Sequence, residues 1–539
     1  MSNAPEPPDL SGCSAEELRW LVIALLAANA QLEVKVIEQA EEIARLKKLK
    51  GRPKLKPSGM EQGTEAGNLG APGDGTPVRP QRRRRKRDRQ PPKSLRLVVD
   101  DERSVPFTPQ PGWRFKGYKP YTVQDLVIEV RVIRYWRPCY QTPDGRVVVA
   151  PLPPEVQGHF GPNLVRYLLS QHYQCRVTMP LLGQQLSDFG LLISAGQISN
   201  LLTKGHERFH AEKAALKQVG LETARWLSVD DTGARHLAEN GVTTQIGDDR
   251  FTSFDTVASK SRLMFLMTLR GAFKDYVVND AALVYLHEQD ASPALIQALM
   301  ADEGTVFTDD DAWTDDLIAI GITAPKAVRL ATEAALAGSL QRHGLLVDAV
   351  IVSDGAGQFN VFQHALCWSH AERLIHRLIP VTEDQRAAVG LVRHLIWWFY
   401  HDLKLYRANP SPQAKGALKA RFDRIFSRTT GFAELDDQLA RLKQRKAELL
   451  LALDRPEVPL NTNGSEQDLR DPVTLRKISG GTRSDDGRRC RDTFLSLKKT
   501  CQKNAISFWA YLGDRLGIAA NTIARLPDLV RSRASPATV

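Results

Sequence analysis

The chain has 539 residues, 42% of them hydrophobic and 25% charged, and a formal net charge of +11. A single core stops growing at roughly 250–300 residues, so this length predicts several domains, and the basic excess predicts a polyanionic partner, nucleic acid before membrane. The six cysteines at 13, 139, 175, 367, 490 and 501 form no CxxC pair, and the apolar run over 20–30 is too short for a bilayer and lacks a basic segment ahead of it. A disulfide framework, a cysteine-only zinc site, a secretory leader and a membrane span are all read as absent, and a reducing cytoplasm is the expected location.

Ser14-Ala-Glu-Glu17 has the form of a capping box that opens a helix. Counting Leu18 as position d gives Leu25, Leu32, Gln39 and Leu46 at d, with Val22, Asn29, Val36 and Ile43 at a. This seam predicts a coiled coil over 14–50 that joins copies of the chain, its one Asn fixing register and partner number. The competing reading is a lone amphipathic helix docked on its own domain. Residues 51–94 lose periodicity and fill with Gly, Pro, Lys and Arg, which predicts a disordered basic linker. Within it Arg82, Arg83, Arg84, Arg85, Lys86 and Arg87 form a block suited to sequence-independent contact with DNA phosphates.

Residues 95–160 predict a β-rich module. Val123, Leu126, Ile128, Val130 and Val132 give an alternating strand over 121–136, and Pro143-Asp-Gly145 turns into a second strand. Residues 161–222 read as a helical DNA-binding region with helices over 163–173, 180–189 and 194–204. The last two have helix-turn-helix spacing, which packed helical hairpins also show.

The stretch Ala224-Arg-Trp-Leu-Ser-Val-Asp-Asp-Thr-Gly233 runs from apolar residues into two carboxylates and a turn. It predicts a buried strand with Asp230 and Asp231 at its tip. The following residues predict a meander: a strand over 233–237, a turn at Asn240-Gly241, then strands over 251–258 and 263–269. After a mostly helical stretch over 275–345, Leu346-Val-Asp-Ala-Val-Ile-Val-Ser-Asp-Gly355 predicts a second strand ending at Asp354. A short strand over 364–368 then enters a helix at Ser369. Residues 381–455 read as a helical insertion with Trp397 and Trp398 in its core, followed by a short helix that bears Glu466 and is kinked or ended by Pro472.

The predicted architecture is multidomain α+β: coiled coil, linker, β-rich and helical DNA-binding region, and an RNase H-like mixed α/β catalytic domain in two parts, 223–380 and 456–520. The insertion divides the two parts, and 521–539 form a tail. In this order Asp230, Asp354 and Glu466 converge on one sheet edge. Hard divalent cations prefer oxygen ligands, and a pair of them suits in-line displacement at phosphorus, so carboxylates fit phosphodiester chemistry better than His or Cys clusters. The three acids alone do not separate hydrolysis from strand transfer.

The motifs Val229-Asp-Asp-Thr232, Ser353-Asp-Gly355, Leu366-Cys-Trp-Ser-His-Ala-Glu-Arg373 and Asn463-Gly-Ser-Glu-Gln-Asp-Leu-Arg470 stand with Arg476-Lys477 and a tail over 497–512. Together they resemble a transposase of the insertion sequence sixty-six family, in the DDE, RNase H-like superfamily. The resemblance covers 226–512. It implies Asp230, Asp354 and Glu466 as catalytic residues and as ligands of two Mg²⁺ or Mn²⁺ ions. It also implies a homo-oligomer through the coiled coil, element ends and target DNA as partners, element-encoded helper proteins, and a bacterial cytoplasmic setting at the nucleoid.

Two departures stand out. The family pattern reads Asp-Glu-Thr where this chain has Asp230-Asp231-Thr232, which leaves open whether Asp231 shares or replaces the first role. Such proteins also carry a four-ligand zinc module ahead of the catalytic domain, and in the region that would hold it this chain has only Cys139. One cysteine cannot close a tetrahedral site, so a β framework without zinc is expected. Cys367 and His370 have the spacing of a metal pair but are two ligands only, and are read as accessory groups beside the acids. Arg470, Arg476 and Lys477 are read as DNA contacts. The function these readings support is a DNA transposase that binds element ends and catalyses divalent-metal-dependent cleavage and strand transfer. The alternatives are an RNase H-like nuclease without strand transfer and a non-catalytic DNA-binding regulator derived from a transposase.

Overall fold

The computed structural model describes residues 99–154, 156, 158–518 and 522–534. The expected coiled coil over 14–50, the linker and the block from Arg82 to Arg87 lie outside the described residues. No described helix is long and apolar enough to cross a membrane.

The molecule is mixed α/β around one five-stranded sheet. Strands β3 (Trp226–His236), β4 (Glu239–Gly247), β5 (Thr252–Val257), β8 (Val350–Ser353) and β9 (His364–Leu366) lie in the order β5-β4-β3-β8-β9. The first three are antiparallel neighbours, and β8 and β9 add in parallel. Two small antiparallel pairs lie outside this sheet: the hairpin of β1 (Cys139–Gln141) with β2 (Val147–Val149), and β6 (Tyr276–Val277) with β7 (Val306–Phe307), which two helices separate in the chain.

Side-chain alternation explains why β8 is an unbroken apolar run. Ile351 enters the main core, whereas Val350 and Val352 pack on the opposite face with Ala365 and Val458. A strand buried on both faces has no polar side to show. On β3, Leu227 and Val229 face the main core, while Trp226 packs with the Val350 cluster. The main core also takes in α1 (Pro162–Leu169), α2 (Met179–Asp188), α3 (Ala195–Thr203) and α4 (Glu207–Thr223).

Between β5 and β8 the chain forms α5 (Arg262–Arg270), α6 (Asp280–Glu288), α7 (Pro293–Met300), α8 (Asp310–Ala319) and α9 (Pro325–Arg342). After β9 come α10 (Trp368–His376), α11 (Glu383–Ala408), α12 (Pro412–Phe426), α13 (Ala433–Gln444) and α14 (Lys446–Leu449). The last elements are α15 (Asn463–Ser479), α16 (Asp485–Lys503), α17 (Phe508–Arg515) and α18 (Leu526–Ala534).

Several expectations need correction. The alternating segment over 121–136 forms no strand: Val123, Leu126, Val127 and Val132 are exposed, and alternation without a partner strand or core to cover it gives no ladder. Of the β framework expected over 95–160, the described residues form only the β1–β2 hairpin, whose Cys139 is exposed. The turn is at Leu237 and Ala238, both at positive φ, and not at Asn240-Gly241, which pair within β4. Gly241 serves close approach instead, since a Cβ there would stand 2.8 Å from the Val257 carbonyl oxygen.

The residues over 263–269 lie in α5 and not in a strand, because Ser261 caps a helix by accepting from the Met264 N–H at 3.2 Å. Pro472 does not end its helix, which runs through to Ser479. Asp468 and Asp471 pin α15 to Lys498, Lys499 and Lys503 of α16, and Arg176 adds a further bond to Asp471. That anchoring offsets the one backbone hydrogen bond that a proline removes. Trp398, read as core, is 55% exposed, while Trp368 is the large aromatic buried against Phe399, Phe422 and Phe426.

Candidate active site

The register of the sheet brings the first two acids together. Trp226, Leu227 and Ser228 pair with Val350, Ile351 and Val352 in parallel. Two residues further along each chain stand Asp230 and Asp354, at the same edge of adjacent strands. The period of two puts Asp230 on the Trp226–Ser228 face and Asp231 on the Leu227–Val229 face. Partners agree with that division. Ser228 Oγ lies 2.5 Å from Ser465 Oγ on α15, whereas Asp231 Oδ2 accepts from Gln358 Nε2 at 2.7 Å and Asp231 Oδ1 lies 3.9 Å from Lys260 Nζ.

The third acid arrives through the Ser228–Ser465 contact, since Glu466 follows Ser465 in the first turn of α15. A helix N-terminus favours negative charge, which suits a carboxylate there. Two side chains of α10 hold Glu466: Arg373 Nη2 donates to Oε1 at 3.2 Å, and His370 Nε2 lies 3.4 Å from the same oxygen. The start of α10 is laced to the start of α15. Trp368 N donates to the Leu460 carbonyl at 2.9 Å, and the Thr462 N–H and Oγ1 lie 3.3 and 3.4 Å from Cys367 Sγ. Cys367 and His370 therefore sit behind Glu466 as a buried sulfur and an imidazole joined to it through Thr462.

A cleft of about 450 Å³ opens here, lined by Asp230, Asp231 and Thr232 of β3 and by Glu466, Leu469, Arg470, Val473, Thr474 and Lys477 of α15. Arg476 lies beside the strand, its Nη1 3.1 Å from where a Cβ on Gly233 would stand. Arg470 and Lys477 are exposed.

The electrostatics are those of acids crowded out of water. Burial lifts the Asp230 carboxyl to about 6, with the charge of Asp354 adding to the rise and the Asp231 N–H and His370 opposing it. Burial acts most strongly to raise the Cys367 thiol, but the hydrogen bonds and charge of His370 and the hydrogen bond from Thr462 together outweigh it and leave the thiol below its usual value. Burial lowers His370, yet Cys367 and Glu466 hold it above the ordinary imidazole range. Among the described residues no three His, Cys, Asp or Glu side chains stand close enough to close around one metal ion. The donor set itself is all carboxylate oxygen and carries unneutralised like charge at Asp230 and Asp354, which is the chemistry a hard divalent cation relieves.

The sequence profile described as transposase IS66 family matches residues 328–489. A protein of Sinorhizobium fredii (strain NBRC 101917 / NGR234), named uncharacterized protein y4jO, is 52% identical over 317 residues, covering 58% of this chain and 99% of the relative. The chain belongs to the IS66 transposase family. A transposase-type function follows from that membership. The IS66 match contains Asp354, Cys367, His370, Glu466 and Arg470, whereas Asp230 and Asp231 precede it. Arg373, Gln358, Lys260 and the Ser228–Ser465 contact were given no role in the sequence reading. Only Arg373 had a signal, standing one helical turn after His370.

Proposed function

We propose that this IS66-family chain is a DDE-type DNA transposase with an RNase H-like catalytic domain, which binds the ends of its insertion sequence and catalyses DNA cleavage followed by strand transfer. The observation that carries this reading is the placement of Asp230 and Asp354 on adjacent parallel strands, with Glu466, at the start of the helix packed on β3, lining one cleft with Asp230. Asp230, Asp354 and Glu466 are the residues that would hold two Mg²⁺ or Mn²⁺ ions. When bound, such ions activate an attacking hydroxyl and stabilise the leaving 3′ oxygen.

The chain's own groups do the rest. Arg470, Arg476 and Lys477 offer phosphate contacts along the cleft, positioning a strand without reading its bases. Arg373 and His370 hold the Glu466 carboxylate on the strand side of α15. Asp231, engaged by Gln358 and Lys260, braces the loop after β8 and is not assigned a ligand role. The coiled coil over 14–50 would join copies of the chain, and helper proteins encoded by the element would be further partners.

The test is incubation of the full chain with the DNA segments that flank its gene and Mg²⁺, scoring cleaved and joined products separately. Joined products are the expected result. Cleavage without joining would make the chain a nuclease, and binding without either would make it a regulator.

The block from Arg82 to Arg87, with Arg89, gives a second expected outcome. Replacing its Arg residues by Gln should weaken binding to all duplexes alike and flatten the slope of log K against log salt. A loss confined to one sequence would point to base reading instead.

A further inference from the structure

The loop bearing Asp354 is tied to the helical insertion by a buried chain of hydrogen bonds. Ser353 ends β8 and is fully buried. Its Oγ accepts from the Gly355 N–H at 3.1 Å and lies 2.8 Å from Nε2 of His364, the first residue of β9. His364 is buried as well, and its Nδ1 lies 2.9 Å from Oε1 of Glu448 in α14. Arg445 grips Glu448 from the other side, with Nη2 2.8 Å from Oε1 and Nε bonded to Oε2. The same guanidinium closes the circuit at Gly355, where a Cβ would stand 2.6 Å from Arg445 Nη1 and φ is +94°. A side chain at 355 is thus refused by its backbone and by Arg445.

Donor counting gives this chain one consistent direction with a neutral imidazole. Ionised Glu448 only accepts, so Nδ1 of His364 carries the proton and donates to it, and Nε2 is left to accept. Ser353 then donates its hydroxyl proton to Nε2 while its lone pair takes the Gly355 N–H. Every polar atom between Glu448 and the peptide following Asp354 is used. The Asp354 carboxylate itself accepts from the Ala356 N–H at 2.9 Å, so its own direction depends on how that loop is held.

We propose that His364 and Glu448 are positioning residues for Asp354, which make the geometry of the acidic edge depend on the last turn of the helical insertion. This rests on the reading of Asp354 as a metal-holding carboxylate. The insertion is then part of the site, because displacing α14 withdraws Glu448 from His364 and releases the Asp354 loop.

The experiment measures Mn²⁺ affinity of the full chain by electron paramagnetic resonance, beside duplex affinity and a thermal melt, for the parent, Glu448→Ala, Glu448→Gln, Ser353→Ala and Asp354→Ala. Removing an outer partner of a metal-holding group weakens metal binding by about 10- to 100-fold. Glu448→Ala is therefore expected to raise the Mn²⁺ dissociation constant by about tenfold or more with duplex affinity kept. Glu448→Gln, which preserves an acceptor for Nδ1–H, should recover most of the loss. Should Glu448→Ala fail to fold, Ser353→Ala removes only the hydroxyl and carries the same expectation. Parent-like Mn²⁺ affinity in folded Glu448→Ala and Ser353→Ala, while Asp354→Ala has lost it, would overturn the proposal and leave the site reading intact. Parent-like affinity in Asp354→Ala would overturn the site reading itself.

Discussion

Alanine at Asp230, Asp354 or Glu466 is expected to lower strand cleavage and joining by several orders of magnitude, while duplex affinity stays within a few fold of the parent. Each substitution removes an oxygen ligand whose charge matters most when the phosphorane-like transition state forms, whereas affinity rests on basic residues elsewhere. Glu466→Gln should fail too, because the amide keeps the shape and loses the charge. Asp231→Ala is the internal control. Its carboxylate borders the same cleft as Asp230 but is engaged by Gln358 and Lys260, so measurable activity should remain. Single-turnover rates on a labelled element end would decide it. A dead Asp231→Ala beside a working Asp230→Ala would place the first ligand one residue later.

The second large effect concerns stability and runs against activity. Burial, assisted by Asp354, lifts Asp230 to about 6 from an ordinary 3.8. Between those values the folded chain holds a proton that the unfolded chain has lost, so stability falls as pH rises from about 4 to about 6 and stays lowered above that. Asp230→Asn removes the charge and keeps an acceptor for the Asp231 N–H. At pH 7.5, without divalent cations, the variant should be more stable than the parent by about 1–3 kcal/mol, and the gain should vanish near pH 4. Mg²⁺ should narrow the difference by stabilising the parent selectively. Denaturant midpoints at the two pH values, with and without Mg²⁺, test this. A variant less stable than the parent at pH 7.5 would show that the Asp230 carboxylate is no burden to the fold.

The acids were legible because a strand announces itself locally. The apolar runs ending at Asp230 and Asp354 need no distant information, and β8 stops at Ser353 just before Asp354. But β3 does not stop at its acids: it runs unbroken from Trp226 to His236, merging the expected strand tip with the expected strand over 233–237 and leaving Asp230 and Asp231 in mid-strand, paired with Gln245 and Thr244. What failed had the opposite character. The segment over 121–136 has strand alternation but no partner, and the residues over 263–269 have strand composition but a serine cap that starts a helix. Pro472 sits inside α15 because ion pairs with α16 hold the helix, and Lys498 and Lys499, read in isolation, look like solvated surface although they are buried. Arg373 on Glu466 and Glu448 on His364 join residues 93 and 84 positions apart. Spacing along the chain carries no record of such pairs. Only the packed fold does.

The parallel pairing of β3 with β8 has a consequence for how a new copy comes into being. Trp226 must wait for Val350 to be made before the two can pair, and Glu466 emerges later still, after the whole insertion. At about 5–20 residues per second, ribosomes need on the order of ten seconds to travel from Asp354 to Glu466. Throughout that interval the basic N-terminal block is already outside the ribosome, whereas the third carboxylate does not yet exist as folded structure. On the proposed reading, a nascent copy can find nearby DNA before it can break any. Order of synthesis separates arrival from competence.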